Sequence, residues 1–458
     1  MSTISRVASR ETMIKQPLQR HELKFEPSSI IDGAGQLFWW NDEVYRGIRP
    51  TSAQFYRDLF EQRNIETLFE RYLVPGEISS LEVDSFDLVL HHYRIPTVSY
   101  CMEWSSEMLR DAALLLCDLS RALYAKGLTL KDAHPWNVLF DMGKPIYVDW
   151  GSIIPLKQGQ MWPYREFQSW FILPLYLMGA GKSHLARALM LDVRHPMSFK
   201  DVFCLLLRPG LVRRWLSYCL IYKPQLMKHT EITPRFFDSL RRLIEEIPTA
   251  SETTAWSNYY GLDRRYSFDA PEGWPDKVRN VVHCIRSLRP KTMLDLGCNR
   301  GWMSKLAAHH GIHVIAADLD EISINILYQF VKAENLSIIP LVLDFCALTP
   351  PHGLFQSYAS ASTRLRSEMV LALALTHHLV FKQNLTFDII ANQLSCLTQK
   401  WLLVEFVPPD DVYVNEWMSD QYNWYHLEGF HRSLSNQFKK IKILDSTPSP
   451  RVLLLCEK

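Results

Sequence analysis

The chain lacks a hydrophobic stretch long enough to cross a bilayer. Its longest apolar run, residues 170–180, contains Pro174 and is far shorter than the ~20 residues of a membrane-spanning helix. Residues 1–29 are polar and mildly basic, and they lack the apolar core of a secretory signal. We therefore predict a cytoplasmic protein with no membrane partner, in which residues 1–29 form a flexible tail. The Ser/Arg-rich composition of this tail leaves an organellar transit peptide as an alternative.

The sequence also lacks an excess of either charge and any paired-cysteine motif. It has 50 basic and 49 acidic residues and a net charge of +1, so we expect no long-range attraction to nucleic acid. Its nine cysteines are scattered, with no C-x-x-C pair and no His/Cys cluster. This spacing is typical of reduced, mostly buried thiols, and it argues against a disulfide framework or a structural zinc site.

Hydrophobic residues make up 47% of the 458 residues, which is enough for the cores of roughly two or three domains. The clearest boundary is a small polar stretch at residues 247–255, which we interpret as a linker. In the preceding domain, residues 30–246, short strand-like segments come before mostly helical ones. In the following domain, residues 256–458, strands alternate with helices. This alternation predicts an α/β fold with a doubly wound parallel sheet.

The hydrophobic pattern also places individual elements. The predicted strands of the C-terminal domain cover residues 293–296, 313–317, 338–343, 370–375 and 402–406. Its predicted helices cover residues 303–310, 323–333 and 385–398. Segments 440–444 and 452–456 flank a turn rich in Pro and Ser, which predicts a terminal antiparallel pair. In the N-terminal domain we predict strands at 86–91 and 98–102 and a helix at 108–125.

The most informative motif, T-M-L-D-L-G-C-N-R-G, begins at residue 292. It consists of an apolar strand that ends in Asp295, a turn with Gly297 and Asn299, and a helix that starts after Gly301. The next strand ends in a second acid, Asp318. Glycine lets the backbone approach a ligand closely, and an acid at a strand end can accept hydrogen bonds from ribose hydroxyls. Asn299 stands where a dinucleotide fingerprint has its second glycine, so the motif does not predict a dehydrogenase.

These segments resemble the cofactor site of class I S-adenosylmethionine-dependent methyltransferases. The resemblance implies a Rossmann-like sheet with a terminal antiparallel strand, and it implies S-adenosylmethionine as the cofactor. It also implies that Asp344, after the third strand, meets the adenine amino group, and that Phe345 packs against the adenine ring. With these two, the predicted cofactor-binding set consists of Asp295, Gly297, Asn299, Gly301, Asp318, Asp344 and Phe345.

Three side chains are candidates for the acceptor side of this site. His377 and His378 follow the fourth strand and Glu405 ends the fifth, and in this family such positions face the transferring methyl group. A histidine could deprotonate a hydroxyl or an amine near neutral pH. Alternatively, one histidine caps the next helix and Glu405 pairs with a surface base. The predicted reaction is methyl transfer to an oxygen or nitrogen of a small-molecule or saccharide-like acceptor.

A second group of polar residues lies in the N-terminal domain. A D-x-x-x-x-N pattern joins Asp132 to Asn137, and a later strand ends in D-W-G with Asp149 first. This arrangement resembles the catalytic and metal loops of protein-kinase-like and aminoglycoside-phosphotransferase-like folds. By this resemblance Asp132 would be the base that accepts a hydroxyl proton. Asn137 and Asp149 would hold Mg²⁺ against the phosphates of ATP.

Three departures weaken the kinase prediction. Leu130 stands two positions before Asp132, where a histidine is expected. No G-x-G-x-x-G loop precedes the motif, and Arg46 is the only cation in the strand-like segment 43–48. Arginine is not equivalent to lysine as a phosphate partner. We therefore predict a kinase-like α+β domain with a reduced small lobe.

Three hypotheses about function follow. In the first, only the methyltransferase is active and the N-terminal domain is a substrate-binding pseudokinase. In the second, both sites act on one substrate, and the first site uses ATP and Mg²⁺. In the third, both sites are degenerate and the protein is an interaction scaffold. The sequence does not fix the oligomeric state.

Overall fold

A computed structural model describes residues 18–30, 32–69, 71–198, 202, 232–249 and 273–458. Residues 1–17, and residues 250–272 with most of the predicted linker, lie outside these ranges. The last part of the predicted tail is ordered, because Lys24–Phe25 forms a strand. Phe25 packs against a buried cluster that includes Phe38 and Val83. The prediction of a flexible tail is therefore wrong for residues 18–29.

A five-stranded antiparallel sheet forms the small lobe of the N-terminal half. Its strands are β1 (Lys24–Phe25), β2 (Gly35–Trp40), β3 (Glu43–Ile48), β4 (Gly76–Ile78) and β5 (Leu88–His92), in the order β1-β2-β3-β5-β4. Helix α1 (Pro50–Glu61) follows β3 and buries Tyr56 and Leu59. The edge strands β1 and β4 have only two and three residues, so the lobe is reduced at its margins.

The other described segments of the N-terminal half are mainly helical. Helix α2 (Ser106–Tyr124) is its central element, and Ser105 caps it by accepting a hydrogen bond from the amide of Met108. Two antiparallel pairs accompany it: β6 (Leu128–Leu130) with β9 (Ile153–Pro155), and β7 (Val138–Asp141) with β8 (Lys144–Tyr147). The described part of this half also contains helices α3 (Tyr164–Phe167), α4 (Leu173–Gly179), α5 (Ser183–Met190) and α6 (Pro234–Glu246). None of the described helices has the length and apolar character needed to span a membrane.

A seven-stranded sheet organises the C-terminal half, in the order β12-β11-β10-β13-β14-β16-β15. Its strands are β10 (Thr292–Leu296), β11 (His313–Asp318), β12 (Ile338–Val342), β13 (Ser367–Ala372), β14 (Thr398–Phe406), β15 (Lys440–Asp445) and β16 (Val452–Glu457). The first five strands pair in parallel, and β16 pairs antiparallel with β14 and β15. This confirms the predicted doubly wound α/β sheet with a terminal antiparallel strand.

Helices cover this sheet, and the parallel strands are correspondingly apolar. All five residues of β12 are buried, as expected for a strand that is covered on both faces. The helices are α7 (Asp276–Leu288), α8 (Trp302–His309), α9 (Glu321–Glu334), α10 (Ala361–Arg364), α11 (Thr376–Gln383), α12 (Phe387–Leu397), α13 (Val412–Asn415) and α14 (Leu427–Ser435).

Two predicted strands differ from the structure. Residues 98–102 are not a strand, because the amide of Tyr100 donates to the Glu103 side chain (2.9 Å) and a 3₁₀ turn forms at Cys101–Glu103. The strand predicted to reach residue 375 ends at Ala372. Two residues later Ala374 takes a left-handed conformation, with φ of +51°. In both places local capping and backbone geometry override the apolar pattern.

The two halves share an extensive interface between α2 and α9. Tyr328 on α9 donates a 2.6 Å hydrogen bond to Asp111 on α2. The amide of Ser106 at the start of α2 donates to the carboxylate of Glu321 (2.8 Å). One cluster of buried apolar residues extends through both halves. The small lobe, the helical lobe and the C-terminal sheet therefore pack as neighbours.

Candidate cofactor and active site

A pocket of about 490 Å³ opens at the carboxyl ends of β10 to β13. Parallel strands end at the same edge of a sheet, so their terminal turns converge there. Five of the predicted cofactor residues line this pocket: Gly297, Asn299, Asp318, Asp344 and Phe345. Residues 373–375 and helix α11 form the opposite wall. The structure thus brings most of the predicted cofactor site together.

The turn after β10 carries backbone to the edge of the pocket. Gly297 has φ of +69° and Asn299 has φ of +50°. Both lie in the left-handed region, which glycine adopts freely and asparagine tolerates better than most residues. The amide of Gly297 donates to the carbonyl of Ala317 (2.8 Å), which ties the turn to the end of β11. Asn299 therefore satisfies a backbone requirement at a position where glycine is often found.

Asp318 presents its carboxylate to the pocket from a fixed position. Its Oδ2 accepts from the amide of Asn299 (2.7 Å) and its Oδ1 accepts from the amide of Asp320 (2.8 Å). Burial raises the pKa of this carboxyl, although the two amides oppose that shift. An ionised carboxylate offers about four lone-pair directions, so further acceptor capacity remains for a ligand. Two neighbouring hydroxyl groups suit these acceptors.

Asp344 and Phe345 form the part of the pocket that follows β12. Asp344 Oδ1 accepts from the amide of Cys346 (2.8 Å), which fixes the carboxylate beside the pocket. Phe345 is buried and lines the same wall as Leu343. The Asp344 carboxylate can accept a hydrogen bond from an amino group, and the adjacent Phe345 ring offers an apolar surface to a flat heterocycle. The acceptors and apolar surfaces present therefore suit the adenosine part of S-adenosylmethionine.

Asp295 and Gly301 do not line the pocket, although they were predicted to bind the cofactor. Asp295 is 3% exposed and accepts a 2.6 Å hydrogen bond from Ser304 Oγ in α8. Burial raises the pKa of Asp295 to about 6. Gly301 begins α8, and a Cβ there would lie 2.6 Å from a side-chain carbon of Leu327. Asp295 therefore ties β10 to α8 behind the pocket through Ser304. Gly301 lets the turn pack closely against Leu327, because no larger side chain fits at residue 301.

The two predicted histidines lie in the first turn of α11 and differ in exposure. His378 lines the pocket, whereas His377 is 4% exposed and its Nδ1 has no hydrogen-bond partner among the described residues. Burial lowers the pKa of His377 to about 3 and also lowers the pKa of His378. Both imidazoles are therefore neutral at pH 7. Of the two, His378 is the one placed to contact a molecule in the pocket.

Glu405 does not face the acceptor side, which corrects the sequence prediction. Its side chain is fully buried and accepts three hydrogen bonds: from Lys277 Nζ (2.7 Å), Ser446 Oγ (2.6 Å) and the amide of Ala374 (2.8 Å). The alternative prediction, that Glu405 pairs with a base at the surface, is closer to the structure. The base is Lys277, but its side chain is only 16% exposed and so lies mostly below the surface. Glu405 therefore acts on the pocket through Ala374, which lines it.

Sequence reasoning missed two residues near His378. Lys382 lines the pocket, and its Nζ lies 4.2 Å from the centre of the Trp417 ring. That ring also stacks against His377 at a centroid distance of 6.0 Å. Lys382 follows His378 by four positions in one helix, so helical spacing could have identified it. Trp417 comes from a separate segment after β14, and no local pattern connected it with the pocket.

The kinase-like residues Asn137 and Asp149 are neighbours, but a cation already occupies their site. Asn137 Nδ2 donates to Asp149 Oδ2 (3.4 Å). Arg46, which is 2% exposed, donates to Asp149 Oδ1 (2.9 Å) and also pairs with Asp32. Mg²⁺ needs several oxygen ligands and would compete with this guanidinium. Among the described residues no group of three or more His, Cys, Asp or Glu side chains could hold a metal. The site as it stands does not fit a bound Mg²⁺.

Asp132, the predicted base of the kinase-like site, remains accessible. Its side chain is 36% exposed, and Lys131 Nζ lies 3.9 Å from its carboxylate. A cavity of about 840 Å³ adjoins both residues and is also lined by Trp162 and Tyr164. The fold therefore brings Asn137 and Asp149 together and leaves Asp132 accessible, as the phosphotransfer pattern predicts. The negative charge of Asp149, however, is neutralised by Arg46.

The chain is similar to several known proteins. The family profile described as tellurite resistance protein TehB matches residues 274–349. Nodulation protein NoeA of Rhizobium meliloti (strain 1021) is 25% identical over 454 residues, covering 90% of this chain and 92% of that protein. A structure of the bifunctional kinase-methyltransferase WbdD aligns at 18% identity and a TM-score of 0.29, covering 41% of each chain.

A second solved structure is that of magnesium protoporphyrin IX methyltransferase from Synechocystis PCC 6803 with bound SAH. It aligns at 13% identity and a TM-score of 0.28, over 40% of this chain and 81% of that protein. This chain spans less than half the length of the WbdD structures that it matches. The matched residues 274–349 include the strand ends after β10, β11 and β12 that line the pocket.

Proposed function

We propose that the protein methylates a hydroxyl oxygen or an amine nitrogen of a small polar acceptor, with a saccharide-like molecule as the favoured class. The observation that carries this proposal is the shared pocket: His378 and Lys382 line the same cavity as Asp318 and Asp344. A methyl donor held by the two acids would therefore lie next to groups that can hydrogen-bond an acceptor. Gln383 adds an amide to this polar end.

The residues divide into groups with different tasks. Asp318 would accept from the ribose hydroxyls, and Asp344 with Phe345 would hold the adenine. Gly297, which has no side chain, would let the backbone approach the methionine part. Bound S-adenosylmethionine would supply an electrophilic methyl group. The apolar wall of Leu373 and Leu375 would keep water away from it.

His378 is the best-placed proton acceptor in the pocket. Burial, with Lys382 and Arg451 nearby, lowers the pKa of His378 below the ordinary histidine value of 6.5. The imidazole is therefore neutral at pH 7 and can accept the proton that a hydroxyl loses as it becomes methylated. His377 would act on the orientation of His378, since their ring centroids are 4.1 Å apart.

The kinase-like region would bind and position without transferring phosphate. Asp149 is neutralised by Arg46, and Arg46 itself is held between Asp149 and Asp32. An arginine held in this way is not available to a nucleotide phosphate. A bifunctional enzyme would require Asp149 to exchange Arg46 for Mg²⁺, and a scaffold would require an empty methyltransferase pocket.

Binding of S-adenosylhomocysteine, measured by isothermal titration calorimetry, tests the cofactor site. We expect the wild-type protein to bind, and Asp318→Asn to weaken binding at least tenfold because a ribose acceptor is lost. Asp410→Asn is the matched control, since Asp410 is exposed and lies outside the pocket. Wild-type protein that does not bind S-adenosylhomocysteine would overturn the proposal and favour the scaffold hypothesis.

The acceptor is tested by measuring S-adenosylhomocysteine formation with hydroxylated and amine-bearing compounds, saccharides among them. With a hydroxyl acceptor we expect His378→Ala to lower kcat by roughly 10²- to 10⁴-fold, with a small change in the KM for S-adenosylmethionine. The wild-type rate should be flat from pH 7 to 8, because His378 is already neutral there. An unchanged kcat in the variant would leave acceptor positioning, without a base, as the mechanism.

A further inference from the structure

One loop of the methyltransferase half reaches into the kinase-like half. It comprises residues 349–364 and is called the interdomain loop below. At its base the amide of Ala361 donates to the carbonyl of Thr349 (2.9 Å). Further along, His352 and Tyr358 exchange backbone hydrogen bonds of 3.1 and 3.0 Å. These bonds give the loop a defined shape that presents the His352 and Tyr358 rings side by side, with centroids 5.2 Å apart.

Aromatic residues of the kinase-like half receive these two rings. Trp136 stacks on Tyr358 with centroids 4.9 Å apart and an interplanar angle of 28°, and it lies 5.3 Å from His352. Tyr100 meets His352 edge to face at 5.0 Å and Tyr358 at 5.5 Å. Contacts of this geometry stabilise the docked loop beyond the effect of the apolar area that they bury.

A buried ion pair anchors the end of the loop. Arg364 pairs with Glu103, and their side chains are 6% and 1% exposed. Arg364 also donates to the carbonyl of Val98 (2.5 Å), and its guanidinium lies 3.9 Å above the centre of the Tyr100 ring. Removing one partner of a buried pair leaves an uncompensated charge, so this end of the loop is held firmly.

The docking position is the cleft beside Asn137 and Asp149. Trp136 immediately precedes Asn137, and the segment from Val98 to Glu103 lies between the small lobe and α2. Burial, together with the nearby Cys101, Asp149 and Glu26, raises the pKa of Tyr358 to about 12. Tyr358 therefore lies near carboxylates of both lobes of the kinase-like half.

The other end of the same segment is the wall of the cofactor pocket. Leu343, Asp344, Phe345, Cys346 and Leu348 line that pocket. Thr349, the first residue of the interdomain loop, follows them directly. No glycine lies between residues 343 and 349 to act as a hinge. Displacement of the docked loop would therefore shift Asp344 and Phe345.

We propose that the kinase-like cleft serves as a docking site for the interdomain loop and thereby positions the cofactor pocket. In this role Trp136, Tyr100 and Glu103 are positioning residues for Asp344 and Phe345, although they belong to the other half of the chain. The inference rests on the proposed S-adenosylmethionine site. It assigns the kinase-like fold a task in the methyltransferase reaction that needs neither ATP nor Mg²⁺.

The test uses the full chain and S-adenosylhomocysteine as the probe. Tyr358→Leu and Trp136→Leu each remove one side of the stacked pair, and neither residue lines the cofactor pocket. We expect each to weaken S-adenosylhomocysteine binding about tenfold and to raise hydrogen–deuterium exchange in residues 343–349. Tyr358→Phe keeps the ring and should restore wild-type affinity. Phe355→Leu, at the 93% exposed tip of the same loop, is the control that should change neither quantity.

Several outcomes separate this inference from the proposed function. If wild-type protein does not bind S-adenosylhomocysteine, the proposed function fails first. If wild-type protein binds and the folded Leu variants bind equally well, the docking inference is overturned while the proposed function stands. The double variant distinguishes coupling from general damage: coupled residues give a combined loss clearly smaller than the product of the two single losses. A multiplicative loss would contradict docking through this pair.

Discussion

Arg46 on β3 donates a 2.9 Å hydrogen bond to Asp149, the residue that a kinase-like site would use to hold magnesium. The same guanidinium pairs with Asp32 in the connection between β1 and β2. One arginine thus joins two carboxylates that would otherwise repel each other. The ion pair stabilises the small lobe against the helical lobe and removes the negative charge that would attract a metal.

Replacing Arg46 should therefore destabilise the protein and should not simply abolish an activity. We expect Arg46→Met to lower the free energy of unfolding by about 3 kcal/mol, because it leaves two poorly solvated carboxylates without a counter-charge. The measurement is urea denaturation. Arg241→Met is the matched control, since Arg241 pairs with Asp118 but both side chains are more than a third exposed, and it should cost less than about 1 kcal/mol.

The ion pair between Arg46 and Asp149 should also prevent magnesium-dependent binding of ATP. Wild-type protein should show no thermal stabilisation by ATP that depends on Mg²⁺. A magnesium-dependent rise in Tm that is lost in Asp149→Ala would contradict this expectation and would restore the bifunctional hypothesis.

The parts of the cofactor site that were predictable from sequence are those encoded locally. Gly297, Asn299 and Asp318 lie within one strand-turn-helix-strand unit, where each strand end is visible as an apolar run that stops at a polar residue. Parallel pairing then brings these ends together without further information. The predicted strands 293–296, 313–317 and 338–343 follow from the same local pattern and agree with β10, β11 and β12 to within one residue at each end.

Long-range contacts were not predictable in this way. The contact of Lys277 with Glu405 joins residues 128 positions apart. The sequence around neither residue predicts that the two side chains meet. The stacking of Trp136 on Tyr358 joins different halves of the chain. A strand-end acid looks the same in sequence whether it points into the pocket or, as Asp295 does, accepts a hydrogen bond from Ser304 behind it.

Replacing each of the two glycines of the cofactor turn by alanine should lower stability to different extents. Gly301→Ala should lower stability by roughly 2 kcal/mol or more, because its φ is +68° and the new Cβ would lie 2.6 Å from a Leu327 side-chain carbon. Gly297→Ala has φ of +69° but a nearest contact of 3.5 Å, so it should lower stability by only about 1 kcal/mol.

Binding separates the two glycine variants further. Gly297 lines the pocket and Gly301 does not. Gly297→Ala should therefore weaken S-adenosylhomocysteine binding more than Gly301→Ala does, although it lowers stability less. Gly301→Ala that is folded at low temperature should bind nearly as well as wild type. Calorimetry and thermal denaturation on both variants check this, and a reversed order would show that Gly301 is the one in contact with the ligand.

Buried neutral histidines predict how stability depends on pH. Burial, with the charges of Arg46 and His91, lowers the pKa of His92 to about 3 from an ordinary value of 6.5. Between these values the unfolded chain binds a proton that the native state does not, so stability falls as pH falls through this window. The contribution of His92 amounts to about 1.4 kcal/mol for each pH unit.

The variant His92→Leu isolates this contribution. Its free energy of unfolding, measured in urea from pH 6.5 to pH 4, should depend on pH less steeply than that of wild type by about 1.4 kcal/mol per unit. Asp295, whose pKa is raised to about 6, contributes in the opposite direction, but it is present in both proteins and cancels. His283→Leu, at an exposed position, should leave the slope unchanged. Equal slopes for wild type and His92→Leu would show that His92 is protonated in the native state.

The hydrogen bond from the Ala374 amide to Glu405 should stabilise the backbone of the pocket wall. Ala374 has φ of +51°, a conformation that costs an alanine roughly 1–2 kcal/mol, and its amide donates to Glu405. Glu405→Gln loses the charged contact with Lys277, so the strained backbone should relax and S-adenosylhomocysteine binding should weaken about tenfold. Ala374→Gly removes the strain, because glycine adopts this conformation freely.

The double variant Ala374→Gly/Glu405→Gln should therefore recover most of the affinity that Glu405→Gln loses. Glu368→Gln is the control, because Glu368 pairs with the half-exposed Lys400 away from the pocket. If Glu405 served only to stabilise the fold, Glu405→Gln would lower Tm without changing affinity, and glycine at residue 374 would rescue nothing. Recovery of binding by a substitution that adds no contact would instead show that the backbone at Ala374 sets the shape of the pocket, and that Glu405 acts through it.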